Sequence, residues 1–198
     1  MIGEVGWGGS SAADSPATAV YSLGRPSESQ GEPVTYTSAL LAVLVGIVHA
    51  GVSPEIVVGG VRPDLVLVSV VLVTATFGFP PGMVWAFVAG LTANLLIPEP
   101  LGSIPFTMLL VAAAVVGGGR ALGRLVWVYP VLATFVASIM ADVIGLAIFR
   151  LVADPLQAGL PMQLILPAAV LNAAIAGLLI GPVRLVASRV APAEKPAW

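Results

Sequence analysis

Residues 64 to 79 read DLVLVSVVLVTATFGF. In water this valine-rich run would pass for a buried strand, because β-branched side chains suit a pleated surface. The rest of the chain decides otherwise. Of 198 residues, 58% are hydrophobic and 9% charged, and the mean hydropathy is +1.03. A soluble domain carries roughly a quarter charged residues. This chain has too few to coat a globular surface in water, whereas a bilayer accepts an apolar exterior. In lipid an open sheet edge leaves backbone groups without partners, and these runs do not alternate polar and apolar as a barrel requires. The run is therefore a helix, and the fold class is all-α: a polytopic membrane helical bundle of about six transmembrane helices.

Working outward, apolar runs alternate with short breaks at about 37–52, 64–79, 82–97, 104–119, 127–152 and 163–187. Several are shorter than the ~20 residues an upright helix needs to cross ~30 Å of hydrocarbon. Local thinning or snorkelling accommodates such spans, or one of them is re-entrant. Phe79-Pro80-Pro81-Gly82 is expected to turn the chain between the second and third runs. Pro98-Glu99-Pro100 is expected to end the third as it leaves lipid.

Residues 1–36 are rich in Gly, Ser, Ala, Pro and Glu without an apolar period, and are expected to be a disordered tail. They do not read as a signal peptide: Glu4 stands where a basic start belongs, and no apolar stretch follows promptly. Residues 37–190 form the helical domain, and 191–198 a short cytoplasmic tail. The absence of cysteine removes disulfides, thiol catalysis and thiolate metal sites. No basic stripe suggests nucleic acid. With the tail inside, Arg120, Arg124, Arg184, Arg189 and Lys195 fall on the inner side, so both termini are expected in the cytoplasm. Arg62 and Arg150 fall outside, beside Glu55, Glu99 and Asp154.

Lipid gives helices no hydrophobic reason to associate, so close packing and polar contacts must do it. Small residues recur at four-residue spacing on three helices: Ala42, Gly46 and Ala50; Ala133, Ala137, Ala141 and Gly145; Ala169, Ala173, Gly177 and Gly181. Each stripe admits a close helix, either from this bundle or from a partner. Four polar residues stand out within the spans: His49, Asn94, Asp142 and Asn172. A mid-helix carboxylate is penalised by ~3 kcal/mol on insertion scales. Asp142 should therefore face the bundle interior, and a hydrogen-bond anchor to a neighbouring helix is favoured over a proton or ligand site. Asn94 and Asn172 read as interhelical glue, each bond contributing about 1 kcal/mol. Pro167 frees a backbone carbonyl in the preceding turn, which nearby polar groups can satisfy. His49, lacking companions at metal-ligand spacing, reads as interfacial.

Catalytic constellations are absent. Asp142 has only Asp64 as a possible partner for an aspartyl dyad, and Asp64 lies at the mouth of a segment. One histidine and no G-x-S-x-G elbow argue against a serine hydrolase. GGGR at 117–120 lacks the Lys-Ser/Thr of a P-loop. Arg120 and Arg124 leave a lipid-headgroup site open.

RPDLVLV at the second segment, GLTANLLIPEPLG closing the third and LPAAVLNAAIAG in the last form an ordered set. In this order and spacing the chain resembles the MreD family of rod-shape membrane proteins over roughly residues 38–190. Pro63, Asp64 and Leu65 match the family's Pro-Asp-Leu; Gly90, Pro100, Leu101 and Gly102 match its Gly and Pro-Leu-Gly; Leu166, Pro167 and Asn172 match its last helix. Asn94 stands where the family usually has aspartate, which spares hydrogen bonding but not charge. The resemblance implies a non-enzymatic scaffold without cofactors in the bacterial inner membrane. It would bind MreC and help couple MreB filaments to the RodA glycosyltransferase and its penicillin-binding transpeptidase. It also implies an architecture like the substrate-binding subunits of energy-coupling-factor vitamin transporters. That family is the rival functional reading: Ala42, Gly46 and Ala50 would dock a coupling subunit. A vitamin pocket would have to draw on Glu99, Ser103, Asp154 and Gln157.

Overall fold

The computed structural model describes residues 32–122, 128–152 and 162–190. Both tails beyond these bounds, with Arg124, Asp154, Gln157 and Lys195, lie outside the described residues. Six helices follow one another: α1 Glu32–Val52, α2 Leu65–Phe77, α3 Phe79–Leu96, α4 Ser103–Leu122, α5 Tyr129–Val152 and α6 Met162–Val190. Residues 32–36, assigned to the tail from composition, belong to the first turn of α1. A proline at position 33 suits a helix start, where its missing N–H has no partner to lose. Four stretches are long and apolar enough to cross a membrane: Phe79–Leu96, Ser103–Ala121, Tyr129–Val152 and Gln163–Arg189. Tyr36–Val52 and Leu65–Phe77 are shorter apolar helices. Among the described residues the one extended pairing is a bridge between Val58 and Val61. Gly59 and Gly60 turn the chain there with φ of 62° and 85°, which side chains rarely tolerate.

The valine-rich run is the centre of the molecule. A helix that is apolar on every side is buried on every side, and α2 touches each of the other five helices. Five consecutive residues, Val70 through Thr74, are buried, so no face of α2 is left to lipid over that stretch. Val66, Leu67, Val70 and Val71 join Ala86, Ala89 and Ala93 of α3 and Met108, Val111 and Ala112 of α4 in one core. Val68 and Leu72 pack on Ala176 and Ile180 of α6 in a second. The outer helices carry the exposed apolar side chains, among them Leu40, Leu41 and Leu44 of α1 and Leu178 and Leu185 of α6.

The α2–α3 turn differs from the expectation. It is made by Gly78 alone, at φ 94°. Phe79, Pro80, Pro81 and Gly82 already form the first turn of α3, with proline in the early positions where it is tolerated. The tight return lays α3 along α2, and Gly82 lies so close to Thr74 that a Cβ there would collide with its hydroxyl. Trp85 on α3 donates from Nε1 to the Ser38 hydroxyl of α1 at 2.7 Å.

The small stripes are used unevenly. Ala42 and Gly46 are buried against α3, and a Cβ on Gly46 would lie 2.8 Å from the Ala89 carbonyl oxygen. Ala50, the last member on α1, is half-buried. On α5, Ala137 and Ala141 are buried and Ala133 is packed against the core, but Gly145 has open space where a Cβ would go. On α6, Ala169 and Ala173 are buried, whereas Gly177 and Gly181 are exposed. Outside the stripes, Gly90 on α3 lies against another helix's backbone: a Cβ there would lie 2.8 Å from Cα of Pro105 on α4.

Backbone cannot yield as a flexible side chain does, so overpacking at these points should cost about 1–3 kcal/mol. Gly46→Ala and Gly90→Ala are each expected to lower the unfolding midpoint in detergent. Gly145→Ala is expected to leave it unchanged or raise it slightly, because alanine favours the helix where space is open. Thermal unfolding followed by helical circular dichroism separates the two classes.

Candidate functional site

The polar residues gather at one end of the bundle, where α1, α3 and α5 finish and α2, α4 and α6 begin. Asp64 starts α2 as its N-cap: Oδ1 accepts from the Leu67 N–H at 2.9 Å, satisfying a donor the helix cannot pair internally. The Asp64 N–H donates to Oδ1 of Asn172 at 2.8 Å. The other end of that amide, Nδ2 of Asn172, donates to the Ser138 hydroxyl at 2.9 Å. One buried side chain on α6 thus holds the start of α2 and the middle of α5. Pro167 lies five residues before Asn172 on the same helix and is exposed. Pro63, just before the cap, is buried, and its carbonyl accepts from the Ser53 hydroxyl at 2.5 Å, closing the loop from α1. Leu65 opens the helix, half-buried.

Asn94 acts on the chain that follows it, not on a separate helix. Its Oδ1 accepts from the Gly102 N–H at 2.6 Å, and Nδ2 donates to the Pro100 carbonyl at 3.3 Å. Gly102 turns at φ 88°, and Leu101 beside it is exposed. The amide folds the Pro98–Gly102 segment back so that α4 starts against the end of α3. Asn94 thus supplies the backbone of that turn with both a donor and an acceptor.

Between these two clamps lies a cavity of about 490 Å³. Asp64, His49, Glu99 and Asp142 all line it, from four different parts of the chain. Ser103 and Thr107 of α4 add hydroxyls, and Ile104, Met108, Leu146 and Phe149 supply apolar wall. His49 Nδ1 is 3.9 Å from Oδ1 of Asp64, too far for a hydrogen bond and close enough for an ion pair when the ring is protonated. His49 therefore turns toward Asp64 and the cavity: its side chain is 14% exposed. Asp142 lines the cavity from α5. Its Oδ2 is buried without a hydrogen-bond partner among the described residues, as is His49 Nδ1. Glu99 stands at the mouth, exposed by area, and its Oε2 accepts from the Ser103 hydroxyl at 3.4 Å. The protein crowding its carboxyl raises its pKa above the ordinary value. The Ser103 bond opposes that rise, the Asp64 charge adds to it, and His49 opposes it.

Sequence pattern alone could not assemble this group, because its members come from α1, α2, α5 and the α3–α4 loop. The usable signal was the rarity of ionisable residues in the spans. Among the described residues no three His, Asp or Glu side chains converge as metal ligands would.

Removing the Asn172 amide leaves the Asp64 N–H and the Ser138 hydroxyl without their partners. Asn172→Leu is expected to lower stability by about 1–3 kcal/mol, and Ser138→Ala by less, since the bond to Asp64 survives. Leu178→Ala, at a side chain 77% exposed, should change little. Unfolding midpoints in one detergent compare the three.

No curated protein and no solved structure matches the chain. Among protein families, residues 31–190 match the one described as rod shape-determining protein MreD. The match takes in all six helices, the Asn172 clamp and the Asn94 turn. The chain therefore belongs to the MreD family of rod shape-determining proteins and is a multi-pass membrane member of the rod-shape machinery.

Proposed function

We propose that this protein is a non-enzymatic scaffold of the bacterial inner membrane that binds MreC. Through MreC it helps couple MreB filaments to peptidoglycan synthesis by RodA and its transpeptidase partner. The observation that carries this reading is the family match over residues 31–190, which spans the whole helical domain. In this reading both termini are cytoplasmic, which Arg120, Arg184 and Arg189 toward the C-terminal ends of α4 and α6 support. The energy-coupling-factor reading has no comparable support.

The surface on which a partner helix docks is proposed to be the C-terminal half of α6. There the small stripe continues past the internal packing. Gly177 and Gly181 are exposed, with only the tip of Val131 near the first and open space beside the second. Leu178, Leu185 and Val186 surround them and are exposed too. A partner backbone can approach glycines closely and gain dispersion and Cα–H contacts that a lipid tail does not provide. Ala173 and Ala169, about one and two turns before Gly177, are already taken up inside the bundle.

Co-purification with MreC in mild detergent tests the assignment. MreC is expected to be retained by the unaltered chain. It is expected to be largely lost from Gly177→Leu and Gly181→Leu variants whose unfolding midpoints are unchanged. Retention of no MreC by the unaltered chain would contradict the scaffold reading. Full retention by both variants would remove α6 from the interface.

A further inference from the structure

The loop between α1 and α2 holds an apolar run that is only partly covered by protein. Between Glu55 and Arg62 it reads Ile56-Val57-Val58-Gly59-Gly60-Val61, without a charge. The bridge between Val58 and Val61 folds this run into a hairpin. Val61, on the returning limb, is buried, and so is Pro63 after it. Ile56, Val57 and Val58, on the outgoing limb, are 42%, 54% and 53% exposed. A loop in water is ordinarily polar at such positions. Three adjacent exposed aliphatic side chains therefore call for apolar surroundings.

The helix lengths point to what those surroundings are. α2 and α3 meet at Gly78 and have 13 and 18 residues. α3 therefore runs about 7 Å of helix beyond the start of α2. The Asp64 cap sits below the level at which α3 ends, within the depth that the longer apolar helices set. From there the loop climbs along α6. Asp64 is bonded to Asn172, whereas a Cβ on Gly60 would lie 3.9 Å from the Leu164 side chain. Leu164 precedes Asn172 by about 12 Å of helix, and it is next to the first residue of the apolar stretch Gln163–Arg189. The hairpin tip thus stands where α6 enters lipid, at the boundary between acyl chains and headgroups. The exposed limb is also continuous with the apolar surface of α1. Val48 and Val52 are exposed, the Glu55 N–H donates to the Val52 carbonyl at 3.1 Å, and Ile56 follows at once.

The backbone of the hairpin fits the same level. In hydrocarbon every N–H must find a partner within the protein. The N–H groups of Val58 and Val61 bond to each other's carbonyls at 2.9 and 3.2 Å, and the Ser53 hydroxyl closes the base of the loop on Pro63. The N–H groups of Ile56 and Val57 have no protein acceptor among the described residues. They need headgroup oxygens or water, which the interface offers and the acyl core does not. We infer that residues 56–58 insert into the interfacial layer of the leaflet at this end of the bundle, with Glu55 and Arg62 at headgroup level. The partner of this surface is lipid, and not a strand from another protein. The hairpin anchors the depth of α1 and α2, whose own apolar lengths are too short to set it. The inference rests neither on MreC binding nor on which way the chain is oriented.

The test uses the full chain, which has no cysteine of its own, in vesicles of phosphatidylcholine and phosphatidylglycerol. Val57→Cys and Val58→Cys are each coupled to a nitroxide. Leu44→Cys, at an exposed position midway along α1, marks the acyl core. Power saturation of the spin resonance compares collisions with oxygen, which dissolves in lipid, and with a water-soluble nickel chelate, which does not. At both loop positions oxygen collisions are expected to exceed nickel collisions, by a smaller ratio than at Leu44→Cys. Nickel collisions exceeding oxygen collisions at either position would put the limb in water, free for a protein strand, and overturn the inference. A ratio as high as that of Leu44→Cys would put the hairpin in the acyl core and overturn it too. Circular dichroism checks the fold of each variant, and Ile56→Cys takes the place of one that loses helix.

Discussion

A helix of thirteen residues spans about 20 Å, and the hydrocarbon of a bilayer is about 30 Å thick. α2 is such a helix, so its ends cannot both reach water along the bilayer normal. Its backbone termini must find partners inside the protein, and its all-round apolar surface must find side chains instead of lipid. Five helices surround it and meet both needs. The arrangement of the bundle follows from this one short element.

The N-terminal end of α2 shows how the need is met. One of its free donors, the Leu67 N–H, is satisfied by the Asp64 cap, and the N–H of Asp64 itself by Asn172 of α6. Because Asn172 also holds Ser138 of α5, the cap is part of a three-helix joint. The C-terminal end is closed by Gly78, whose N–H donates to the Thr74 carbonyl and whose positive φ sends the chain directly into α3. Where α2 stops short, α4 and α5 continue beside it, and the space over its cap is the polar cavity lined by Asp64, Glu99 and Asp142. Shape and chemistry at that end have a common origin: a central helix that ends early, and the polar groups needed to end it.

The sequence made part of this legible. Too few charges to face water implied lipid, lipid implied helices, and the breaks between apolar runs gave their number. Asn172 was recognisable as a structural amide because a polar side chain within a span must find a partner. What stayed hidden depended on neighbours distant in the chain. The three stripes look alike as sequence, yet Gly46 meets the Ala89 carbonyl while Gly145 meets nothing, because only α1 has α3 against its stripe at that level. Asn94 looked like Asn172 but serves its own turn, since Gly102 brings the backbone back within reach. His49 looked solitary because its companion, Asp64, lies across a loop and faces it only after α1 and α2 have packed. Asp142 looked like an anchor, yet its Oδ2 is buried without a partner among the described residues.

The central claim, that α2 is sheathed by protein and not by lipid, is tested most directly by carbene footprinting. A photoactivated diazirine dissolved in the bilayer labels the unaltered chain, and insertion is read by peptide mass spectrometry. Residues 66–74 are expected to take up little label, while 40–48 of α1 and 174–186 of α6 are labelled strongly. Labelling of 66–74 as heavy as that of α1, or recurring every three to four residues along it, would show a lipid-facing α2 and contradict the account.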